Sequence, residues 1–285
     1  MVKIMADSTS DLSKELIERY QITILPLHIV LGDKEYRDGT EITPEEIYRW
    51  SDAKKETPKT SAVAITDAIE IMKPALEAGD ELIMFTISEK MSTTANVFRM
   101  AAQELEAEDK VSVVDSASLS TGNGLLVIRA AVMAREGKGR KEIVEEIERL
   151  KPRVRASFVV DTLTYLHRGG RCSGVAALAG GMLKLHPKIV VLDGAMEVSK
   201  KYRGKINSVI MNYVKDMEEE MKRAEKYRVF ITHSGSDPKV VEEVRAYLES
   251  LHYFDEILIT RAGGVVSSHC GPGTLGVLFI QEKDL

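Results

Sequence analysis

Short apolar runs alternate along the chain with amphipathic segments, and this alternation predicts an α/β fold. Strands are predicted for the apolar runs at residues 2–6, 22–31, 81–87, 110–114, 156–160, 189–192, 228–232, 256–260 and 277–280. Helices are predicted where apolar side chains recur every three or four positions. They cover residues 12–20, 95–106, 140–151, 162–167, 206–224 and 238–251. Two further helices begin near residues 43 and 66, and another ends near residue 135.

Capping residues and helix breakers refine these boundaries. Thr43-Pro44-Glu45-Glu46 is a typical helix start, with a capping hydroxyl, a proline in the first turn and a glutamate three positions after the cap. Pro74 is expected to kink or shorten the helix that contains it. The glycines at 122 and 124 are expected to precede a long apolar helix, and the small-residue run at 174–182 is expected to be a close-packed helix.

The length of 285 residues suits one large domain or two smaller ones. The segment Lys151-Pro152-Arg153 is polar and rigid, which makes it a plausible boundary. The sequence therefore predicts an N-terminal α/β domain at residues 1–152 and a C-terminal α/β domain at residues 153–285.

Charge and cysteine content exclude several classes of protein. The net charge of −5 argues against non-specific nucleic-acid binding, which requires a basic face. Cys172 and Cys270 are far apart and neither belongs to a CxxC motif, so a disulfide framework or a cysteine-based zinc site is not expected. The six histidines are scattered, and no local spacing supports a metal site.

The hydropathy pattern predicts a soluble protein without stable membrane insertion, and the two isolated cysteines fit the reducing cytoplasm. The sequence reaches Asp7 too early for the apolar part of a signal peptide. No apolar run approaches the roughly 18 residues that a membrane-spanning helix requires.

The common catalytic and nucleotide motifs are absent from the sequence. Gly271-Pro272-Gly273-Thr274-Leu275-Gly276 matches GxGxxG, but proline removes an N–H and no long helix follows, so we reject it as a dinucleotide site. There is no Walker A, HExxH or GxSxG pattern. A catalytic set could be assembled from Ser92, His269 and either Asp7 or Asp115, although nothing in their spacing requires it.

Hydroxyl-rich segments recur where predicted strands end, and we interpret them as loops that could satisfy a small polar or anionic group. They are Asp7–Thr9, Thr60-Ser61, Ser88–Thr94, Asp115-Ser116, Gly169–Arg171 and the segment around His269. Ser92 lies at a predicted helix N-terminus, which favours an anion. Plain helix capping and a solvated arginine are the alternative interpretations of these segments.

The order of short motifs along nearly the whole chain resembles the DegV family, whose fatty-acid-binding (FakB-type) members serve bacterial fatty acid kinase. The matching segments, in family order, are IMADSTSDL, EYRDGTEITPEEIY, Thr60-Ser61, SEKMSTTANVF, VVDSASLSTGNG, Gly169-Gly170-Arg171, Lys201-x-Arg203-Gly204 and His269-x-Gly-Pro-Gly273. The chain departs from the family at Thr93 and Ala95, which replace a glycine and a tyrosine of the serine motif.

The resemblance implies two α/β domains with a fatty-acid tunnel at their interface. It implies that Thr60, Ser61, Ser92 and His269 bind the carboxylate of a long-chain fatty acid, and that the neighbouring polar or anion contacts are Arg171, Thr93, Gly170 and Gly271. Because a carboxylate raises the pKa of a neighbouring imidazole, His269 could donate to the bound carboxylate as an imidazolium.

The resemblance also implies a partner and a role. In the family a separate ATP-dependent kinase subunit phosphorylates the bound acid to an acyl phosphate for phospholipid synthesis. This chain would then be a lipid-binding subunit without catalytic residues or a cofactor, and Lys201 and Arg203 would be candidates for docking the kinase. The basic run Lys200–Lys205 that contains them could equally be a solvated surface. Two alternatives stay open, which are a hydrolase or phosphotransferase that uses Ser92 and His269, and a stand-alone lipid sensor.

Overall fold

Three β-sheets organise the fold of this chain, seen in a computed structural model that describes residues 1–173 and 185–282. The described strands are β1 (Val2–Asp7), β2 (Thr23–Leu25), β3 (His28–Leu31), β4 (Lys34–Arg37), β5 (Lys59–Ser61), β6 (Glu81–Thr86), β7 (Val111–Asp115), β8 (Val154–Val159), β9 (Cys172–Ser173), β10 (Leu185–Leu192), β11 (Ala195–Arg203), β12 (Ala224–His233), β13 (Ile257–Arg261) and β14 (Leu275–Gln281). The small-residue run predicted as a helix at 174–182 lies outside the described residues.

The described helices connect and cover these strands. They are α1 (Lys14–Tyr20), α2 (Pro44–Lys54), α3 (Ile65–Glu77), α4 (Thr94–Glu104), α5 (Thr121–Arg135), α6 (Arg140–Leu150), α7 (Thr164–Gly169), α8 (Ile206–Asp216), α9 (Glu218–Met221), α10 (Pro238–Ser250) and α11 (Gly264–Cys270). Short 3₁₀ turns occupy Ser8–Ser10 and Lys151–Arg153. No described helix is long and apolar enough to cross a membrane.

The sheets divide the strands according to their place in the sequence. The order β2-β1-β6-β7 forms a parallel sheet, and β4-β3-β5 forms a small antiparallel sheet. Every described strand from β8 onward joins the seven-stranded sheet β13-β12-β14-β8-β10-β11-β9. The fold is therefore mixed α/β, and the boundary between residues 152 and 153 stays a prediction.

Helix α5 joins the two halves through a shared core. Leu125, Leu126 and Ile128 on α5 belong to the same buried cluster as Phe85 from the parallel sheet and Leu278 from the seven-stranded sheet. Every residue of α5 from Thr121 to Ile128 is buried, so these turns contact the core on all sides. The free energy of burying this helix therefore stabilises both halves together.

The cap and breaker predictions had mixed outcomes. Thr43 forms the predicted capping box with Glu46 at the start of α2. Pro74 does not shorten α3, which continues to Glu77. Gly122 and Gly124 lie inside the first turn of α5 rather than before it. A Cβ on Gly124 would lie 2.8 Å from a methyl carbon of Leu12, so the missing side chain leaves room for that contact.

Three further predictions from the hydropathy pattern were wrong. The run at 22–31 is two strands in different sheets, β2 and β3, separated by Pro26, which has no N–H for a sheet hydrogen bond. The helix predicted for 206–224 gives way to β12, which begins at Ala224. The apolar spacing at 95–106 predicts that Met100 faces inward from α4, but Met100 is 56% exposed, whereas Phe98 is fully buried.

Candidate functional site

A cavity of about 480 Å³ is lined by residues from both halves of the chain. Much of its wall is apolar, formed by Leu27, Ile87, Met91, Leu119, Met196, Val265, Val266 and Cys270. Six of the predicted site residues lie on the same wall: Thr60, Ser61, Ser92, Thr93, Arg171 and His269. The fold therefore brings together side chains separated by up to 209 positions in the sequence.

The remaining predicted residues lie elsewhere among the described elements. Gly170 ends α7 with a φ of +65°, in the left-handed region that glycine tolerates. Gly271 follows α11 with a φ of +75° and packs against the ring of Tyr165. Lys201 and Arg203 are exposed on β11, a strand that also contributes Met196 to the cavity.

The link between Thr60 and His269 is the central contact of the site. Thr60 Oγ1 lies 2.9 Å from Nε2 of His269, within hydrogen-bond distance. Thr60 and Ser61 belong to β5, and His269 belongs to the last turn of α11. The prediction that both segments are loops was wrong. A strand edge and a helix, rather than two loops, position these side chains.

Helix α11 forms although its sequence favours helix only weakly, since it contains glycine, two valines and two serines. Two buried carboxylates hold its N-terminus. The N–H of Gly263 donates to Asp11 Oδ1 at 2.8 Å, and the N–H of Gly264 donates to Asp38 Oδ1 at 2.7 Å. Each carboxylate satisfies a backbone group that the helix itself leaves unpaired.

Asp11 and Asp38 are buried beside each other, together with Asp7. Loss of hydration raises the pKa of Asp11 to about 8 and that of Asp7 to about 6, and it also raises the pKa of Asp38. The neighbouring negative charges add to the increase at Asp11. Sequence reasoning missed the role of this cluster. The only sign of the cluster in the sequence was that aspartate occurs in two of the segments that resemble the DegV family, IMADSTSDL and EYRDGTEITPEEIY.

Ser92 lies just before α4, as predicted. Its Oγ lies 2.9 Å from Thr94 Oγ1 and accepts a hydrogen bond from the Thr94 N–H at 3.3 Å. The Ser92 hydroxyl is therefore held at the mouth of a helix N-terminus, where backbone dipoles favour negative charge.

His269 is neutral at pH 7 in this environment. Burial lowers the pKa of its imidazole to about 4, and the positive charge of Arg171 lowers it further in the same direction. This value describes the protein by itself, and donation by an imidazolium to a bound carboxylate stays a prediction. Sequence reasoning considered only a carboxylate neighbour and could not include loss of hydration or the proximity of Arg171.

Arg171 supplies a positive charge at the polar part of the cavity wall. Its Nη1 donates to the carbonyl oxygen of Gly169 at 2.7 Å, and the side chain is exposed. Lys90 also lines the cavity. Among residues 1–173 and 185–282, no group of three or more histidine, cysteine or acidic side chains is arranged to hold a metal ion.

The fold and site define an α/β protein with a large, mainly apolar cavity whose wall carries one cluster of hydroxyl, imidazole and guanidinium groups. A family model described as "Uncharacterised protein, DegV family" matches residues 1–282. The chain belongs to the DegV family.

Three relatives illustrate this membership. A DegV domain-containing protein of Caldanaerobacter subterraneus is 32% identical over 284 residues, which cover 99% of each chain. A structure described as fatty acid binding of a DegV family protein from Thermus thermophilus is 32% identical, with a TM-score of 0.89 and 99% coverage of both chains. A structure described as a stearic acid-binding protein from Eubacterium ventriosum is 30% identical, with a TM-score of 0.85, and covers 99% of this chain and 98% of that one.

Proposed function

We propose that this protein binds a long-chain fatty acid in the cavity and presents its carboxylate to a separate ATP-dependent kinase subunit. The observation that carries the binding step is a cavity of about 480 Å³ with largely apolar walls and one polar cluster at Thr60, Ser61, Ser92 and His269. The printed descriptions of the Thermus and Eubacterium proteins as fatty-acid-binding support the same class of ligand.

The chemistry of the cavity suits both parts of such a ligand. A carboxylic acid is charged at neutral pH, so its burial requires several donors that converge on it. Hydroxyls of Thr60, Ser61 and Ser92 can supply them, with His269 bonded to Thr60 and Arg171 adding positive charge. The acyl chain gains about 0.8 kcal/mol for each methylene removed from water. The apolar wall therefore sets most of the affinity, and the polar cluster sets the orientation.

The kinase step rests on the family resemblance and on the placement of the basic residues. Lys201 and Arg203 are exposed on β11, the strand that contributes Met196 to the cavity wall. In contrast, Lys200 and Tyr202 bond to Asp216, at 2.5 and 2.8 Å, and are therefore engaged within the protein. Lys201 and Arg203 are the members of this basic run that we assign to docking the kinase.

The binding step is tested by titrating delipidated protein with stearate. We expect Ser92→Ala and His269→Asn each to weaken binding by about 10- to 100-fold, since a hydrogen bond to a charged group contributes roughly 1.5–3 kcal/mol. Ser208→Ala and His252→Asn change an exposed serine and an exposed histidine away from the cavity and serve as matched controls. Wild-type affinity in both site variants would overturn the assignment of the carboxylate site.

The presentation step is tested by reconstitution with a kinase subunit and ATP, with the acyl phosphate trapped as a hydroxamate. Product that requires the kinase, ATP and this protein together supports the proposal. Retention of ligand without product from any cognate kinase would favour a lipid sensor. Turnover of an acyl ester by this protein alone would favour a hydrolase. In the structure, the partner of His269 Nε2 is Thr60, and Ser92 Oγ instead pairs with Thr94.

A further inference from the structure

Gly169 lies where two polar groups of the site meet. It is the last residue of α7, and its backbone is buried against the imidazole of His269. A Cβ at position 169 would lie closer than 3.0 Å to His269 Nδ1, a separation that real Cβ atoms do not adopt. The carbonyl oxygen of the same glycine accepts the hydrogen bond from Arg171 Nη1.

The two nitrogens of the His269 ring have different surroundings. Nδ1 is buried on the Gly169 side, with no hydrogen-bond partner within the part of the chain that the structure describes. Nε2 lies 2.9 Å from Thr60 Oγ1. A neutral imidazole carries one proton, and a buried N–H without an acceptor is costly. The proton is therefore favoured on Nε2, where the Thr60 oxygen accepts it.

This arrangement has a consequence for Thr60. When its oxygen accepts the proton of His269, its own hydroxyl proton is free to be donated to another acceptor. Thr60 lines the cavity, so a carboxylate there is a suitable acceptor. If Nδ1 held the proton instead, Thr60 would donate to Nε2 and could not also donate to a ligand.

We propose that Gly169 is a positioning residue that holds His269 in its Nε2–H form against Thr60 and directs the Thr60 hydroxyl proton toward the ligand carboxylate. The inference rests on the proposed fatty-acid-binding function. The lowered pKa of His269 agrees with it, because only a neutral ring has two alternative tautomers. The glycine is needed for the space that it leaves, and its carbonyl fixes the guanidinium of Arg171 at the same point.

The test compares Gly169→Ala with Gly139→Ala. Position 139 lies far from the cavity residues in sequence, and a Cβ there would meet nothing within 4 Å, so the same change is made without the clash. Alanine is the better helix former, so α7 itself does not lose from the change. We expect stearate affinity to fall by at least about tenfold in Gly169→Ala and by less than about twofold in Gly139→Ala.

A double variant separates positioning from general damage to the fold. In a His269→Ala background there is no ring for a Cβ at position 169 to displace, so adding Gly169→Ala is expected to change affinity by less than about twofold. An equal loss of affinity in the presence and absence of the ring would overturn the proposal.

Nitrogen-15 NMR of the histidine rings in ligand-free protein reads the tautomer directly, with His269 assigned from the His269→Ala spectrum. We expect an Nε2–H signature at pH 7 in wild type and an altered one in Gly169→Ala. A wild-type ring protonated on Nδ1 or on both nitrogens would overturn the proposal, as would a Gly169→Ala protein with wild-type ring signals. This readout needs no ligand, so it tests the positioning role of Gly169 even if stearate does not bind the wild-type protein. Failure of stearate to bind would refute the proposed function instead.

Discussion

The backbone N–H of Gly264 donates a 2.7 Å hydrogen bond to Asp38 Oδ1, across 226 positions of sequence. Asp38 in turn accepts a hydrogen bond from Ser8 Oγ at 2.8 Å, close to the end of β1. The contact ties the first half of the chain to the helix that carries His269. The position of a proposed ligand contact is therefore set by a carboxylate that does not line the cavity.

Asp38→Ala is expected to remove this tie. The Gly264 N–H would lose its acceptor in a buried place, which costs about 1–3 kcal/mol of folding free energy. Because α11 also carries His269, Val265 and Val266, we expect weaker stearate binding in addition. Chemical denaturation and stearate titration measure the two effects. Asp33→Ala, at an exposed position, is the control, and equal stability of the two variants would contradict the account.

Gly264→Ala tests the close packing of α11. A Cβ at this position would lie 2.5 Å from Ile29 Cδ1 and 2.8 Å from Ile47 Cδ1. Overpacking of this kind destabilises proteins by about 1–3 kcal/mol. Denaturant unfolding is expected to show that loss for Gly264→Ala, and for Gly139→Ala only the smaller cost, below about 1 kcal/mol, of alanine at the N-cap of α6. A Gly264→Ala protein as stable as wild type would show that α11 is packed more loosely than the structure indicates.

The buried carboxylates predict a particular dependence of stability on pH. Burial raises the pKa of Asp11 to about 8, whereas an unfolded aspartate has a pKa of about 3.9. Between these values the folded state binds a proton that the unfolded state does not, so this group makes stability fall as pH rises. Its contribution is most favourable below about pH 4, and the loss is complete above about pH 8.

Asp11→Asn removes that titration while keeping an oxygen for the Gly263 N–H. The unfolding free energy of the variant is expected to fall less steeply than that of wild type between about pH 5 and pH 8, by at most about 1.4 kcal/mol per pH unit. Denaturant melts at several pH values provide the measurement. Parallel curves for the two proteins would show that Asp11 stays ionised across this range.

The exposed basic pair on β11 predicts a partner-specific defect. Changing Lys201 and Arg203 together to glutamate reverses two charges without touching the cavity wall. Charge reversal at an interface slows association, and the effect weakens as salt increases. Acyl phosphate formation is expected to slow at low salt while stearate affinity stays at the wild-type value. Unchanged kinetics with the kinase would remove this surface from the docking proposal.

Sequence patterns predicted the parts of this fold that depend on local chemistry. The capping box at Thr43 and the short apolar strands are specified within a few residues of sequence, and the structure contains them. The residues of the site came from the ordered motifs of the family resemblance. The spacing of these residues alone was equally compatible with plain helix capping or with a solvated surface.

Features that depend on distant contacts could not be predicted in the same way. The run Val265-Val266-Ser267-Ser268 contains weak helix formers, and the backbone N–H groups at the start of α11 donate to Asp11 and Asp38. The neutral state of His269 likewise depends on burial and on Arg171, which lie outside any local pattern. Tertiary contacts override local preference at these positions.

Mass spectrometry of an organic extract from purified, heterologously expressed protein tests the central claim most directly. The cavity of about 480 Å³ and its polar cluster predict a near-stoichiometric long-chain fatty acid that leaves with the solvent. The chain length of that acid would begin to define specificity. An extract without fatty acid, followed by no binding of added fatty acids, would contradict the account.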